Sequence, residues 1–257
     1  MAQSRRILFV AGEVTPFAET SSIASLARML PEQLQDAGDF EARVMMPCYG
    51  TIDERKHNLH EVIRLSGTDV PMGSETETLT VKVASVPDVR LQVYFMDHET
   101  YFGKEQLAAD GGDVSSFEDV CRRALFFNRA ALETIRKLRW GPSVIHSFGW
   151  MSGFVPHLLA SEYNTDERLS DAKAVFTPDD QDPGTHISTD LAGVLGLALD
   201  GQADSTISET GLHYADASIH PPGASVVDGT VQFEADTDAH GRQLSALYDQ
   251  MLDEVPA

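Results

Sequence analysis

An unbroken apolar run, Ile7–Val10, stands near the amino terminus, and a helical pattern of apolar residues begins near Ile23. A strand without polar alternation is typical of a parallel sheet that is covered on both faces. Ser21 or Ser22 can cap the helix, because a hydroxyl oxygen accepts a hydrogen bond from the first backbone N–H groups of a helix. The order strand, loop, helix predicts an α/β fold.

The alternation of strands and helices continues along the chain. We expect the first helix to end near Ala37 and Gly38, and a second core strand to follow over Ala42–Met46. A second helix is expected from Phe117, because apolar residues then recur at three- and four-residue spacing. These patterns predict a Rossmann-like, mainly parallel sheet flanked by helices. Three strands joined by hairpin-like loops are expected between the two helices, over Leu59–Leu65, Leu79–Ala84 and Leu91–Phe95. The apolar face of the second helix comprises Ala124, Phe127, Ala131, Ile135 and Leu138.

We expect one domain over residues 1–257, a length within the range of single domains. Residues 179–208 are acidic and weakly patterned, which predicts an irregular segment with a short helix within 191–199. A final strand and turn are expected over 213–222. Residues 240–254 predict a terminal helix that packs on the domain or on a second copy, because Leu244, Leu247, Tyr248 and Met251 have helical spacing.

The segment 144–156 (Val-Ile-His-Ser-Phe-Gly-Trp-Met-Ser-Gly-Phe-Val-Pro) predicts a buried strand, a glycine turn and a helix. Side chains just past the carboxyl end of a strand in an open α/β sheet face the ligand crevice. His146 and the following turn are therefore expected at that crevice. The turn offers Phe148, Gly149 and Met151, none of which can transfer a proton or carry a charge.

This segment resembles the His-X-His-Asp-Trp-His-Thr-Ala-Leu-Val-Pro motif of bacterial glycogen synthases and plant starch synthases. Its His146, Trp150, Val155 and Pro156 match, whereas the second His, the Asp and the third His of the motif are replaced. The resemblance implies the amino-terminal half of a GT-B glycosyltransferase that transfers glucose from ADP-glucose to an α-1,4-glucan. It implies no metal ion and no other cofactor.

The segment 6–23 (Arg-Ile-Leu-Phe-Val-Ala-Gly-Glu-Val-Thr-Pro-Phe-Ala-Glu-Thr-Ser-Ser-Ile) resembles the opening of the same family, Val-Leu-Phe-Val-Ala-Ser-Glu-Val-Ala-Pro-Phe-Ala-Lys-Thr-Gly-Gly-Leu. The family's Lys and Gly-Gly approach the phosphates of the donor. Here Glu19 stands at the Lys position, and Ser21 and Ser22 replace the two glycines. A carboxylate repels a pyrophosphate, and the added side chains restrict close approach of the backbone.

Further segments also resemble the family: their apolar residues match, whereas several of their polar residues differ. Residues 110–113 (Asp-Gly-Gly-Asp) and 119–133 resemble the family's Gly-Asp and its Asp-Asn-X-X-Arg-Phe-X-X-Phe-X-Arg-Ala-Ala-Leu-Glu run, with Val120 at the Asn position. Residues 173–180 (Lys-Ala-Val-Phe-Thr-Pro-Asp-Asp) resemble Lys-Thr-Val-Phe-Thr-Ile-His-Asn. Residues 211–218 resemble Gly-Ile-X-Tyr-Ala-Asp-X-Val.

The resemblance leaves a small set of candidate site residues. His146 and Asp119 are the catalytic candidates, although a histidine at the end of a strand is also commonly a hydrogen-bonded structural residue and Asp119 can cap a helix. Glu13 can contact a sugar hydroxyl or cap its own loop, and Trp150 can be a sugar platform or a core anchor. The substrate-binding candidates are Glu13, Thr20, Ser21, Ser22 and Trp150.

Three functions fit these observations. The first is glucosyl transfer from ADP-glucose, impaired or absent in the lone chain, because the resemblance covers nearly the whole sequence and the family's second, nucleotide-binding domain would follow it. The second is a non-catalytic module that binds α-glucan, a full-length synthase or a separate nucleotide-binding domain. The third is a fold reused for an unrelated small ligand, with His146, Asp119, Glu13 and Arg123 as the ionisable groups near the crevice.

Charge restricts the partners. The sequence has 40 acidic and 19 basic residues, a net charge of -21, and such a surface repels nucleic acids and anionic lipids. Diffuse acidity with few lysines suggests adaptation to high salt. No apolar run approaches the ~20 residues of a membrane helix, and the amino terminus leads directly into a core strand, so we expect a cytoplasmic protein. Cys48 and Cys121 lack metal-ligand spacing; two cysteines could form a disulfide, but we expect reduced, half-buried thiols.

Overall fold

A computed structural model describes residues 5–36, 40–87, 89–103, 117–184, 186–199, 204–224 and 230–253. The predicted helix end at Ala37 and Gly38, and residues 110–113, lie outside these ranges. The strands are β1 (Arg5–Ala11), β2 (Phe40–Pro47), β3 (His60–Glu61), β4 (Thr68–Met72), β5 (Glu75–Ser85), β6 (Gln92–Asp97), β7 (Val144–Phe148), β8 (Lys173–Thr177), β9 (Ala217–His220) and β10 (Val231–Gln232). The helices are α1 (Ile23–Asp36), α2 (Glu99–Phe102), α3 (Phe117–Leu138), α4 (Val155–Ala160), α5 (Thr189–Leu195), α6 (Ile207–Tyr214) and α7 (His240–Asp253).

The strands form a mixed, mainly parallel sheet in the order β10-β9-β8-β7-β1-β2-β6-β5-β3. The seven strands from β10 to β6 are parallel to one another, and β6 pairs with β5 in the antiparallel sense. At the centre, residues 7–11 of β1 and all of β7 are fully buried, as expected for strands covered by helices on both faces. The α/β fold with a mainly parallel sheet is confirmed.

The antiparallel side of the sheet differs from the sequence prediction. Of the strand expected over Leu59–Leu65, only His60–Glu61 pairs with β5. A strand that was not predicted, β4, pairs along β5 from Thr68 to Met72. Pro71 weakens its sequence signal, because proline donates no ladder hydrogen bond. Since β4 pairs only with β5, Pro71 lies on an edge where this loss is tolerated.

Helix α3 packs its apolar face on the sheet and anchors this hairpin. All five predicted face residues lie in or against the hydrophobic core. Arg129, which is 3% exposed, donates to both carboxylate oxygens of Glu162 and to the Pro71 carbonyl. One guanidinium therefore joins α3, the edge strand β4 and the loop after α4, and a bidentate ion pair also fixes their relative orientation.

The acidic segment after β8 contains more regular structure than its sequence pattern indicates. Ser188 caps α5, and Thr206 and Glu209 form a reciprocal capping box at the start of α6. Such caps satisfy the free N–H groups of short helices that have little apolar periodicity. Helix α6 continues to Tyr214, so the strand that was predicted to begin at residue 213 is shorter than expected and covers only Ala217–His220 (β9).

Helix α7 packs on α1 and reaches the centre of the sheet. Its Leu244 and Tyr248 are fully buried. The Tyr248 hydroxyl lies 2.7 Å from Nδ1 of His146, and the two rings meet edge to face. The terminal helix is therefore tied to β7 by a buried hydrogen bond.

We expect Tyr248→Phe to lower the free energy of unfolding by about 1–3 kcal/mol, because the change leaves a buried nitrogen of His146 without its partner. Urea denaturation of the variant and the parent measures this difference. Tyr101→Phe is the matched control, since the Tyr101 hydroxyl makes a long 3.4 Å contact with Glu77. Equal destabilisation by both changes would contradict the special role of the His146 bond.

Candidate functional site

The carboxyl ends of β1, β7 and β8 meet at one edge of the sheet, where open α/β folds bind their ligands. The cavity at this edge, called the closed crevice below, has a volume of about 30 Å³. That volume holds about two water molecules. The closed crevice is lined by Gly12, Glu13, Thr20, Ser21, Tyr49, Gly149, Trp150, Met151, Asp179 and Gln181, together with Ile23 and Phe148.

Glu13 holds the loop before α1 over the closed crevice. Its carboxylate accepts hydrogen bonds from the backbone N–H groups of Thr20 and Ser21, both at 2.9 Å. The hydroxyls of the same two residues donate to it at 2.5 and 2.8 Å. Gln181 adds a bond to the Thr20 carbonyl at 3.3 Å. The acidic side chain therefore acts as an internal anion in a nest of donors.

Asp179, which the sequence analysis did not select, fills the opposite wall. Its Oδ1 accepts a hydrogen bond from the Trp150 backbone at 3.3 Å. Gly149 has a φ of 73°, and a Cβ at this position would lie 2.5 Å from Oδ2 of Asp179. The pKa of Asp179 is raised to about 6, mainly by burial; hydrogen bonds from the backbone N–H groups of Trp150 and Gln181 oppose the rise, and the charges of Asp182 and Asp180 add to it.

Met151 fills the floor. A Cβ on Gly12 would lie 2.8 Å from the Met151 Cβ, so glycine is required at this close approach. The Met151 carbonyl accepts a hydrogen bond from Asn128 at 2.7 Å, and the Tyr49 hydroxyl donates to the Gly12 carbonyl at 2.9 Å. Thus apolar Met151 stands where the family motif has a histidine, and two hydrogen bonds of the backbone carbonyls fix the floor of the closed crevice.

His146 lies in the middle of β7, not past its end. Its ring is fully buried and stacks on Phe148 with centroids 4.0 Å apart. Nδ1 is bonded to Tyr248, and Nε2 lies 2.8 Å from the Thr177 hydroxyl, so both nitrogens are engaged. Burial lowers the pKa of His146 well below its ordinary value, which keeps the ring neutral.

The other candidate residues are not brought into one constellation. Asp119 is exposed in the first turn of α3, and Ser22 lies just before α1, outside the closed crevice. Trp150 is half-buried, packs against the core and lines the crevice. Burial raises the pKa of the Tyr49 phenol, Glu13 adds to the rise, and the charge of Arg123 opposes it.

Within the described ranges, His, Cys, Asp and Glu form no group of three that could hold a metal ion. Cys48 and Cys121 are unpaired thiols, as expected, but they are buried rather than half-buried, and burial raises the pKa of each to about 12. In the same part of the chain, no helix is long and apolar enough to cross a membrane.

Comparison with known proteins agrees with the fold and with the motifs. Glycogen synthase of Chlorobium limicola is 41% identical over 175 residues, covering 67% of this chain and 35% of that protein. The glycogen synthase of Chlorobium luteolum is 40% identical over 172 residues with the same two coverages. The chain thus spans about a third of the length of these curated relatives.

A solved structure, the catalytic domain of starch synthase IV from Arabidopsis thaliana bound to ADP and acarbose, matches with a TM-score of 0.69. It covers 84% of this chain and 45% of its own at 18% identity, and therefore supports the fold. A family model described as the starch synthase catalytic domain matches residues 6–219. Because that match spans most of the sequence, the chain belongs to the starch synthase catalytic domain family.

Proposed function

We propose that this protein serves α-1,4-glucan synthesis as a glycogen synthase-like module that does not itself transfer glucose from ADP-glucose. The observation that carries the proposal is the closed crevice of about 30 Å³ at the carboxyl ends of β1, β7 and β8. Ligand pockets commonly measure about 300–1,000 Å³, so a sugar nucleotide does not fit without displacing the loop that Glu13 holds.

Charge supports the same conclusion. Glu13 and Asp179 line the closed crevice, and Glu19 is exposed on the loop above it. Each carboxylate repels a diphosphate, whereas transfer needs donors that stabilise the leaving diphosphate. Loss of one such donor commonly lowers a rate by about 100-fold or more, and here several motif positions are changed together.

The retained function that we favour is binding of α-glucan. Two findings favour it: the relatives given above are glycogen synthases, and the solved structural neighbour holds acarbose as well as ADP. Trp150, half-buried at the crevice rim, is the aromatic side chain that we assign to the sugar, since amphipathic rings pack on sugar faces and leave an N–H for hydrogen bonding.

A partner role is the second candidate. The partner that we consider is a full-length synthase or a separate nucleotide-binding domain, because the relatives given above are glycogen synthases. The setting that we propose is the cytoplasm of a cell with high internal salt, because the net charge of -21 is screened there over short distances.

We expect purified protein to incorporate less than about 1% of the label that an authentic glycogen synthase incorporates from ADP-glucose into glycogen. Both proteins are assayed in the same high-salt buffer. Electrophoresis through a gel that contains glycogen should retard this protein relative to a gel without glycogen. Trp150→Ala should abolish the retardation, whereas Trp140→Ala, at the opposite end of the sheet, should not.

The incorporation assay and the gel electrophoresis can each contradict one part of the proposal. Incorporation comparable to that of the authentic synthase would refute the non-catalytic assignment. Equal mobility in both gels would refute glucan binding and favour the partner role, which co-sedimentation with a full-length synthase then tests.

A further inference from the structure

The sheet ends at β10, and the outer side of this strand meets the first turn of α7. Among the described strands, β10 pairs only with β9. The Phe233 backbone N–H donates to the His220 carbonyl at 2.9 Å and therefore points toward β9. Because backbone polar groups alternate between the two sides of an extended chain, the Gln232 carbonyl and the Glu234 N–H point away from β9. These two groups form the edge of the sheet.

Gln243, in the first turn of α7, bonds to both of these edge groups. Its Oε1 accepts a hydrogen bond from the Glu234 N–H at 2.9 Å, and its Nε2 donates to the Gln232 carbonyl at 3.4 Å. A residue of a neighbouring strand makes the same two bonds with its own N–H and C=O groups. A side-chain amide can replace that residue, because it also carries an acceptor and a donor side by side. Gln243 therefore takes the place of a further strand.

His240 engages the next backbone group along the edge. Its Nε2 lies 2.6 Å from the Glu234 carbonyl, and because a carbonyl only accepts, this nitrogen is the donor. The ring is fully buried and packs against Phe233 with centroids 4.7 Å apart. Gln33 of α1 donates to the Thr237 carbonyl at 3.1 Å and holds the turn that leads into α7. The outward-facing groups after β10 are thus satisfied by side chains of the same molecule.

We propose that Gln243 is an edge plug, a side chain that prevents the sheet from pairing with the sheet of a second copy of this chain. Open strand edges pair readily with one another, and many proteins cover their edges for this reason. A second copy fits, because two β10 edges related by a twofold axis offer each other the same carbonyl and N–H groups. Val231 of β10 is 46% exposed, so another chain can reach this edge.

Charge explains why a plug is needed. The net charge of -21 makes two copies repel each other at low salt, but dissolved salt screens this repulsion over short distances. A hydrogen-bonded plug keeps its effect when the repulsion is screened. The inference does not depend on glucan binding, and a failure of either leaves the other intact.

The test measures mass in solution by light scattering in a high-salt buffer, over a range of protein concentrations. We expect the parent to keep the mass of one chain and Gln243→Ala to approach the mass of two chains as its concentration rises. Gln243→Glu should behave like the parent, because it keeps an acceptor for the Glu234 N–H and places a charge on the edge. Gln250→Ala, which removes the same side chain two turns further along α7, is the control and should also behave like the parent.

Hydrogen exchange at the Glu234 N–H locates the contact. In dilute Gln243→Ala this amide should exchange about ten-fold faster than in the parent or more, because its acceptor is gone. At high concentration it should become protected again, since the edge of the second copy supplies a new acceptor.

Several outcomes would overturn the proposal. Equal masses of Gln243→Ala and the parent at every concentration would show that the side chain does not prevent pairing. Equal association of Gln243→Glu or Gln250→Ala would attribute the effect to general destabilisation, and association without renewed protection of the Glu234 N–H would place the contact elsewhere. If Gln243→Ala does not fold, Gln243→Asn replaces it with the same expectations, because its amide is one methylene too short to bridge both edge groups.

Discussion

Replacing Glu13 by Ala should lower the free energy of unfolding by about 3 kcal/mol. The carboxylate accepts four hydrogen bonds from Thr20 and Ser21, and hydrogen bonds to a charged group contribute about 1.5–3 kcal/mol each. The expected loss of stability is smaller than the sum of these four contributions, because Thr20 is exposed and its donors bind water when the carboxylate is removed. Denaturation in urea measures the loss.

The matched control for this change is Glu19→Ala, six residues along the same loop, where the carboxylate is exposed. Exposed substitutions of this kind commonly stay within about 0.5 kcal/mol of the parent. A second measurement distinguishes the loss of the Glu13 carboxylate from a general loss of stability. Glu13→Ala leaves two backbone N–H groups and two hydroxyls without their anion, so added inorganic phosphate should raise the Tm of this variant more than that of the parent.

Two outcomes would contradict this account of the closed crevice. If Glu13→Ala and Glu19→Ala destabilised the protein equally, the four bonds to Glu13 would not be the main restraint on the loop. If phosphate raised the Tm of the parent as much as that of Glu13→Ala, Glu13 would not be occupying an anion site.

Replacing Asp179 by Asn should stabilise the protein above pH 6, by at most about 3 kcal/mol. Burial is the main cause that raises the pKa of this carboxyl from 3.8 to about 6. Because the folded state binds this proton more tightly than the unfolded state, the parent loses stability as pH rises from about 4 to about 6. Above about pH 6 the loss of stability caused by ionised Asp179 no longer changes with pH. Asparagine carries no charge and keeps an oxygen for the Trp150 N–H.

The measurement is the free energy of unfolding of parent and variant from pH 4 to pH 8. We expect the difference to vanish near pH 4 and to reach its full value above pH 6. Asp180→Asn, at the exposed neighbouring aspartate, should give a much smaller and nearly pH-independent change. A variant that is no more stable than the parent at pH 8 would show that Asp179 is compensated when ionised.

The structure also explains why the candidate residues were harder to predict than the fold. Apolar runs such as Ile7–Val10 predict strands because burial on both faces leaves no room for polar alternation. The strand predicted over Leu59–Leu65 is reduced to His60–Glu61, and the proline-containing β4 had no such signal, since edge strands depend on their neighbours. Asp179 was recognised only as a changed motif position, because its burial against Gly149 depends on a residue thirty positions away in sequence.

The sequence alone determined the fold class, the order of its central elements and the family, because periodicity and local motifs are properties of short segments. It also showed that the polar residues of the motifs are replaced. Only the tertiary structure decided that Glu13 closes its own loop, that His146 is bonded to Tyr248, and that Asp179 lines the closed crevice. These are contacts between distant segments, and whether a carboxylate or an imidazole is free for a ligand depends on which distant donors packing brings to it.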